Sequence, residues 1–281
     1  MYSFGADFLI YGRIAMKKIT IIGGDNRLKI LKEKLENEGY LTDTLGLYEN
    51  DFADFTSSQI IVLPVPTTKD GKTVFTPLTK RTIPLEFIEA NTSREQLILC
   101  CNYNFSGRNS VDYGAFDSYA LLTAIPTAEG AIKIAIENTD YTLWKSDILV
   151  IGYGRVGKIL ANRLKALGAN VTVSARKPAD FGLAESVGLG RINTTELNTL
   201  PLNFDIIFNT VDIKVIDNNT LKSCKDTLFI DLSSLGGFDL KEAERLGIKA
   251  IKAPGLPGII APKTAAEILS NTITHIINSY N

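Results

Sequence analysis

The apolar residues of this chain fall in short runs, and amphipathic stretches separate one run from the next. Short apolar runs bounded by polar residues, Gly or Pro are typical of strands buried in a sheet, and the stretches between them are typical of helices. The predicted strands are 19–22, 59–63, 96–100, 148–151, 171–174, 205–211, 227–232 and 248–251. This alternation predicts an α/β fold: two tandem Rossmann-like, doubly wound parallel-sheet domains, separated by a cleft and joined by long helices.

Two helical segments mark the predicted domain boundaries. Pro126 and Thr127 suit a helix entry with Thr127 as the N-cap, and residues 262–281 predict a long terminal helix. We expect a flavodoxin-like substrate domain at 16–126, completed by 262–281, and a Rossmann domain at 127–261.

Residues 1–15 precede Met16, which resembles a natural start, and we exclude them from the fold as an N-terminal extension. Their apolar content is modest, Asp7 interrupts it and no basic segment comes first, so no secretory signal is predicted.

Composition excludes several classes of function. The 281 residues carry 30 basic and 31 acidic side chains, a net charge of −1, which argues against a nucleic-acid partner. No uninterrupted apolar run is long enough to cross a bilayer, so no membrane partner is expected. Cys100, Cys101 and Cys224 have neither metal-ligand nor redox spacing, and we expect buried thiols in a reducing cytosol and no metal.

The strongest motif is an apolar strand, 148–151, that leads directly into Gly-x-Gly-x-x-Gly and then into a helix. These glycines permit a tight turn, close approach of the backbone to a pyrophosphate, and close packing of helix on strand. The alternative is a structural tight turn. The predicted cofactor residues of the motif are Gly152, Tyr153, Gly154, Arg155, Val156 and Gly157.

The end of the next strand indicates which dinucleotide binds. An NAD site usually has Asp or Glu there, whereas this chain has Ser174, Arg176 and Lys177, with no carboxylate before Asp180. A hydroxyl, a guanidinium and an ammonium suit a 2′-phosphate, so NADP is the predicted cofactor. A basic surface turn is the alternative.

The turn Asn209-Thr210-Val211, after the fourth Rossmann strand, is also predicted to approach the cofactor. The alternative interpretation is that these polar residues at the end of the strand only cap the next segment.

Several motifs together resemble the family of dipicolinate synthase A subunits, over Met16 to near the C-terminus. They are Gly23-Gly24-Asp25-x-Arg27, Ser118 with Ile125-Pro126-Thr127-Ala128-Glu129-Gly130, Thr139-Asp140-Tyr141-Thr142, the Gly152–Gly157 motif and the stretch Ala253–Ala265. One departure is the loop Ser234-Leu235-Gly236-Gly237, where the family tends to carry a basic residue and Pro before Gly-Gly.

The resemblance implies an oxidoreductase of sporulating bacteria, in the mother-cell cytoplasm, on a branch of the lysine pathway. It would convert a hydroxytetrahydrodipicolinate-type dicarboxylate heterocycle to pyridine-2,6-dicarboxylate, with the flavoprotein B subunit of dipicolinate synthase as partner, and we expect a homo-oligomer. Two alternatives stay open: another NADP-linked two-domain dehydrogenase acting on an imino or amino acid, and a non-catalytic nucleotide-binding scaffold.

A dicarboxylate substrate needs cations and hydrogen-bond donors. The predicted substrate-binding residues are Arg27, Thr127, Lys263 and Thr264. Arg27 follows the first strand, where ligands collect in open α/β sheets, although it could equally pair with Asp25. Lys263 opposes the dipole in the first turn of its helix, which favours a functional role.

Glu129, Asp25 and Lys263 are the candidate catalytic residues. The helix dipole alone would also favour an acidic residue in a first helical turn, so a purely structural role for Glu129 is the alternative. The single histidine, His275, lies late in the terminal helix and is interpreted as structural, which argues against a 2-hydroxyacid dehydrogenase.

Overall fold

The computed structural model describes residues 17–280, and the N-terminal extension predicted at 1–15 lies outside them. The chain forms two compact units. Unit 1 comprises the described residues up to Ala115 together with those from Ile273, and unit 2 runs from Phe116 to Thr272.

Unit 1 is built on a five-stranded parallel sheet with the order β2-β1-β3-β4-β5. Its strands are β1 (Lys18–Ile22), β2 (Leu41–Leu45), β3 (Ile60–Val62), β4 (Leu97–Cys100) and β5 (Ser110–Asp112), and its helices include α1 (Asn26–Asn37) and α2 (Leu85–Ala90). This is the flavodoxin-like strand order. The predicted strands at 19–22, 59–63 and 96–100 are confirmed as β1, β3 and β4, which lie in the buried centre of the sheet.

Unit 2 is built on a six-stranded parallel sheet with the order β11-β10-β9-β6-β7-β8. Its strands are β6 (Asp147–Ile151), β7 (Asn170–Ala175), β8 (Gly190–Asn193), β9 (Ile206–Asn209), β10 (Leu228–Asp231) and β11 (Ala250–Lys252). Its helices are α3 (Asp117–Asn138), α4 (Arg155–Ala166), α5 (Pro178–Ser186), α6 (Asn218–Lys222), α7 (Leu240–Arg245), α8 (Leu256–Ile260) and the first part of α9 (Pro262–Ser279). This is the Rossmann order, in which successive connections reverse direction between β6 and β9. In sheets with this order, ligands generally bind outside the carboxyl ends of the strands at this reversal point, here β6 and β9.

Helix α3 begins well before its predicted start. It starts at Asp117, Pro126 lies inside it, and Thr127 is not an N-cap, because its hydroxyl donates to the Thr123 carbonyl oxygen at 2.8 Å. Proline lacks the N–H that would bond to the Leu122 carbonyl four residues earlier, yet the helix continues through Pro126 to Asn138. Thr123 makes the same kind of bond to Tyr119, also at 2.8 Å. The expected boundary between 126 and 127 therefore falls within a helix, and the units divide between Ala115 and Phe116.

By length and composition, α3 could cross a membrane. Its alanines at 128, 131 and 135 instead belong to the buried core of unit 2, together with strands β6 and β9. A helix in a protein core passes the same test of length and hydropathy.

The predicted terminal helix is confirmed as α9. Its residues up to Thr272 belong to unit 2 and those from Ile273 belong to unit 1. Ile273, Ile276 and Ile277 are buried, and the Thr274 hydroxyl lies 3.1 Å from the carboxylate of Glu38, just after α1.

Candidate functional site

The glycine motif of unit 2 forms the turn between β6 and α4. Gly152 has φ +94, and a Cβ atom there would lie 2.5 Å from Thr210 Oγ1. A Cβ atom on Gly157 would lie 2.0 Å from the Gly152 carbonyl oxygen. A Cβ atom on Gly154, in contrast, would have no described atom within 4 Å. Packing therefore requires the outer two glycines, while the middle one leaves the open approach that a pyrophosphate needs.

The N-terminus of α4 faces this opening. Its N-cap is Gly154, so no side chain caps the first N–H groups, and its first turn contains no acidic residue. Arg155 pairs with Asp117 of α3 at 2.9 Å, and both side chains are largely exposed. Uncapped N–H groups and the helix dipole make such an end suitable for a phosphate group.

The turn after β9 packs against the glycine turn. The backbone N–H and the hydroxyl of Thr210 both donate to the Ile151 carbonyl oxygen, each at 2.9 Å. Val211 Cγ1 would lie 2.6 Å from a Cβ atom on Gly152. The structure thus brings Asn209-Thr210-Val211 together with the glycine motif.

Ser174 does not lie where the phosphate prediction needs it. Its side chain has no exposed surface, and the N–H of Gly152 donates to its carbonyl oxygen at 3.1 Å. Its hydroxyl lies 3.2 Å from that of Thr194. The hydroxyl is buried because Ser174 lies within β7, which extends to Ala175, so Ser174 supports the glycine turn from inside the domain. Arg176 and Lys177, the two residues after β7, are exposed.

A polar cluster that was not predicted lies at the carboxyl ends of β9, β10 and β11. Its centre is Asp231, which has no exposed surface and lies 2.9 Å from the ammonium of Lys252. Asn209 Nδ2 donates to Asp231 at 2.8 Å, and the N–H and hydroxyl of Ser233 donate at 3.1 and 2.6 Å. Burial acts to raise the pKa of Asp231, but the bonds from Asn209, Ser233 and Lys252 outweigh it and hold that pKa below its usual value.

The Asp231 cluster organises both turns beside it. Asn209 Nδ2 also donates to the Val211 carbonyl oxygen at 2.9 Å, which fixes the turn that packs on Gly152. The Gly237 N–H donates to Asp231 at 3.3 Å, and the Ser234 N–H donates to Asp212 at 2.6 Å. These bonds anchor the divergent loop 234–237, whereas the side chain of Leu235 at its tip is 83% exposed. The sequence did contain a signal for this cluster, because polar residues stand at the ends of neighbouring strands.

In unit 1, Asp25 and Arg27 form an ion pair at the carboxyl end of β1. Arg27 Nε and Nη2 donate to the carboxylate at 2.9 and 2.7 Å, and Nη2 also donates to the Val65 carbonyl oxygen at 2.7 Å. Asp25 additionally caps α1 by accepting from the Arg27 N–H at 3.0 Å. Arg27 is buried and pairs with Asp25, as the structural interpretation of this residue expected.

Glu129 lies in the middle of α3, about 18 Å from the start of the helix at 1.5 Å per residue. Its carboxylate pairs with Arg163 of α4 at 3.3 Å, and both side chains are partly exposed. The expectation of a first-turn position is therefore wrong, and it fails because α3 starts at Asp117. Arg163 lies in the last turn of α4, so this pair holds Glu129 at the opposite end of α4 from the glycine turn.

Lys263 and Thr264 are exposed in the first turn of α9, as predicted from the sequence. Within residues 17–280, Lys263 makes no ion pair. His275 is also exposed, near the other end of the helix. No group of metal-ligating side chains occurs among the described residues.

Two motifs of the family resemblance contact each other in unit 2. A Cβ atom on Gly130 of α3 would lie 3.1 Å from Leu256 Cβ and 3.1 Å from Ile260 Cγ1, both on α8. Glycine at this position therefore allows α8 to approach α3 closely.

Comparisons with known proteins identify relatives of both units. Residues 18–114 match the family described as the N-terminal domain of the dipicolinate synthase A subunit, and residues 147–234 match NADP oxidoreductase coenzyme F420-dependent. The dipicolinate synthase A subunit of Bacillus subtilis (strain 168) is 35% identical over 92% of this chain and 95% of its own.

Solved structures extend the comparison. The dipicolinate synthase A subunit from Bacillus halodurans has a TM-score of 0.82 at 32% identity, over 92% of this chain and 97% of its own. D-lactate dehydrogenase from Salmonella has a TM-score of 0.63 at 13% identity, over 92% and 95%, and this likeness concerns the fold alone. The matches support a dehydrogenase-like scaffold with a nicotinamide-type cofactor.

Proposed function

This chain belongs to the family of dipicolinate synthase A subunits, and we propose that it is the NADP-dependent component that makes pyridine-2,6-dicarboxylate. The observation that carries the proposal is the 35% identity with the Bacillus subtilis protein, which extends over 92% of this chain and therefore includes both units. The substrate is a hydroxytetrahydrodipicolinate-type heterocycle, and the setting is the mother-cell cytoplasm of a sporulating bacterium.

The residues around the glycine turn fit a dinucleotide. The open space at Gly154 and the uncapped N-terminus of α4 suit the pyrophosphate, and the exposed Arg176 and Lys177 suit a 2′-phosphate. Bound there, NADP supplies a hydride acceptor. Asn209 and Thr210 keep the neighbouring turn in place through their bonds to Asp231 and Ile151.

Aromatisation of the ring removes one water and two hydrogens, one as hydride and one as a proton. The substrate carries two carboxylates, and Lys263 offers an exposed ammonium that pairs with no carboxylate among residues 17–280. We assign Lys263 and Thr264 to holding a substrate carboxylate. Asp25, Glu129 and Lys263 are the candidates for the base that takes the proton, since carboxylates and amines commonly perform this role.

The flavoprotein B subunit of dipicolinate synthase is the proposed partner. The reaction combines dehydration, hydride removal and product release, and excluding water from these steps can require the surface of a second protein. We expect the isolated chain to bind NADP stoichiometrically but to form product slowly or not at all, and we expect rapid synthesis when the flavoprotein is added.

The test follows the ultraviolet absorbance of the aromatic product with each chain alone and with both together. Full-rate synthesis by this chain alone would make it a self-sufficient dehydrogenase. No synthesis with the partner present would favour a nucleotide-binding scaffold or another imino or amino acid substrate.

A further inference from the structure

Asp180 is the carboxylate that follows the basic pair Arg176 and Lys177 most closely in the sequence. It lies in the first turn of α5, and its N–H donates to the Lys177 carbonyl oxygen at 3.0 Å. An acidic side chain near the end of this strand is the feature that favours the ribose hydroxyls of NAD. The same negative charge would repel a 2′-phosphate, so Asp180 opposes the predicted preference for NADP.

Lys158 of α4 neutralises this carboxylate. Its ammonium lies 3.2 Å from Asp180 Oδ1 and 5.4 Å from the centroid of the Tyr153 ring, which is buried within the glycine motif. The Lys158 ammonium therefore has two partners: Tyr153 in the glycine turn and Asp180 in the first turn of α5.

Asp180 and Tyr153 lie close together, because both approach the ammonium of Lys158. Burial raises the pKa of the Tyr153 hydroxyl, and the negative charge of Asp180 raises it further. Asp180 is thus close enough to the glycine motif to act on it electrostatically. A dinucleotide bound at this motif would have its adenosine ribose in the same region.

We propose that Lys158 is a positioning residue for cofactor selection: by pairing with Asp180 it cancels this nearby negative charge, so that Arg176 and Lys177 can attract the 2′-phosphate. The inference rests on the proposed use of NADP. A partly exposed ion pair contributes little to folding, so removing Lys158 should leave the domain folded.

The experiment is calorimetric titration of the full-length chain with NADP and with NAD. The variants are Lys158→Met, Asp180→Asn and the double variant, with thermal unfolding of each as a check of folding. Lys133→Met is the matched control, because Lys133 forms an exposed ion pair with Glu137 on α3 at 2.6 Å. It should bind both cofactors as the wild type does.

Lys158→Met is expected to weaken NADP binding by about threefold to tenfold, the size expected for charges a few ångströms apart near solvent. NAD binding should change little. In the Asp180→Asn background the same substitution should have no further effect, because the repelling charge is already absent.

Four results would overturn the inference. An equal loss of NADP and NAD binding in Lys158→Met would mean that Lys158 binds the pyrophosphate directly, and a loss that persists with Asp180→Asn would exclude action through Asp180. An unchanged preference in Lys158→Met, with a wild type that prefers NADP, would overturn this inference alone. A wild type that prefers NAD would overturn the proposed cofactor and the inference together.

Discussion

The carbonyl oxygen of Gly152 lies 2.0 Å from the position that a Cβ atom on residue 157 would take. The two outer glycines of the motif are therefore needed for the turn to form, before any ligand binds. The middle glycine is different, because a side chain at Gly154 would meet no described atom within 4 Å.

This difference predicts opposite effects for two substitutions. Gly154→Val should leave the domain folded, since the backbone has φ −80 there, but should abolish NADP binding because the side chain fills the approach to the pyrophosphate. Gly157→Ala should destabilise the chain by about 1–3 kcal/mol through overpacking. Thermal unfolding and calorimetric titration of both variants check this, and a folded Gly154→Val chain with full NADP affinity would contradict the assigned geometry.

Arg176→Ala should weaken NADP binding by about 1.5–3 kcal/mol through loss of a charge-assisted hydrogen bond, and should leave NAD binding nearly unchanged. The control is Arg245→Ala. Arg245 is exposed at the end of α7 that precedes β11, so it lies at the opposite edge of the sheet. Titration of each variant with both cofactors measures the effect. A parallel loss of NAD binding would mean that Arg176 does not distinguish the 2′-phosphate.

Asp231 makes unfolding depend on acid pH. Its pKa lies below the ordinary value of 3.8 in the folded chain, so its contribution to stability is complete above that value and is lost as pH falls through the folded pKa. Asp231→Ala should cost about 3–5 kcal/mol, because it leaves the hydrogen bonds of the cluster unmade.

Urea unfolding of the wild type and of Asp231→Asn between neutral pH and pH 2 tests this dependence. The variant should be less stable at neutral pH and should lose less stability in acid. Asp226→Asn, an exposed residue just before β10, should match the wild type throughout. If the two variants behave alike, the Asp231 cluster does not stabilise the strand ends.

Lys263→Met should lower turnover while it preserves NADP affinity, because the lost ammonium is assigned to the substrate. His275→Gln, an exposed residue on the same helix, should change neither property. Steady-state kinetics with the flavoprotein partner, together with NADP titration, separate the two effects. A loss of more than about tenfold in the His275 variant, with stability intact, would show that the histidine has been misassigned.

Glu129→Gln separates two interpretations of that carboxylate. If Glu129 is the acid or base, turnover should fall although the fold is intact, since the exposed pair with Arg163 is worth at most about 1 kcal/mol. Glu137→Gln is the matched control, because Glu137 lies on the same helix and likewise forms an exposed ion pair, with Lys133. Equal turnover in the two variants would remove Glu129 from the candidates.

The sequence predicted the central strands of both sheets but missed β2, β5 and β8. Each of these lies at an edge of its sheet and pairs with one neighbour. Their sequences are correspondingly polar, such as Leu-Thr-Asp-Thr-Leu in β2 and Gly-Arg-Ile-Asn in β8. A strand with one exposed side does not need the apolar run that identifies a central strand.

Local patterns also explain which parts of the site could be predicted. The glycine motif and its strand and helix are contiguous, so their spacing contains the geometry. Asp231 and Lys252 are 21 residues apart and meet because β10 pairs with β11. Pro126 misled the prediction of α3, since a proline usually marks the start or the end of a helix, whereas here the helix runs through it.

The division of α9 between the two units has a consequence for the order of biosynthetic folding. Unit 2 is continuous in sequence, from Phe116 to Thr272, so all of its strands have been synthesised before Ile273 is added. All five strands of unit 1 have been synthesised by Asp112, but the unit also includes the segment from Ile273, which is added only after the whole of unit 2. Although domains nearer the N-terminus generally fold first on the ribosome, here unit 2 can be fully synthesised while unit 1, which begins before it, still lacks its last segment.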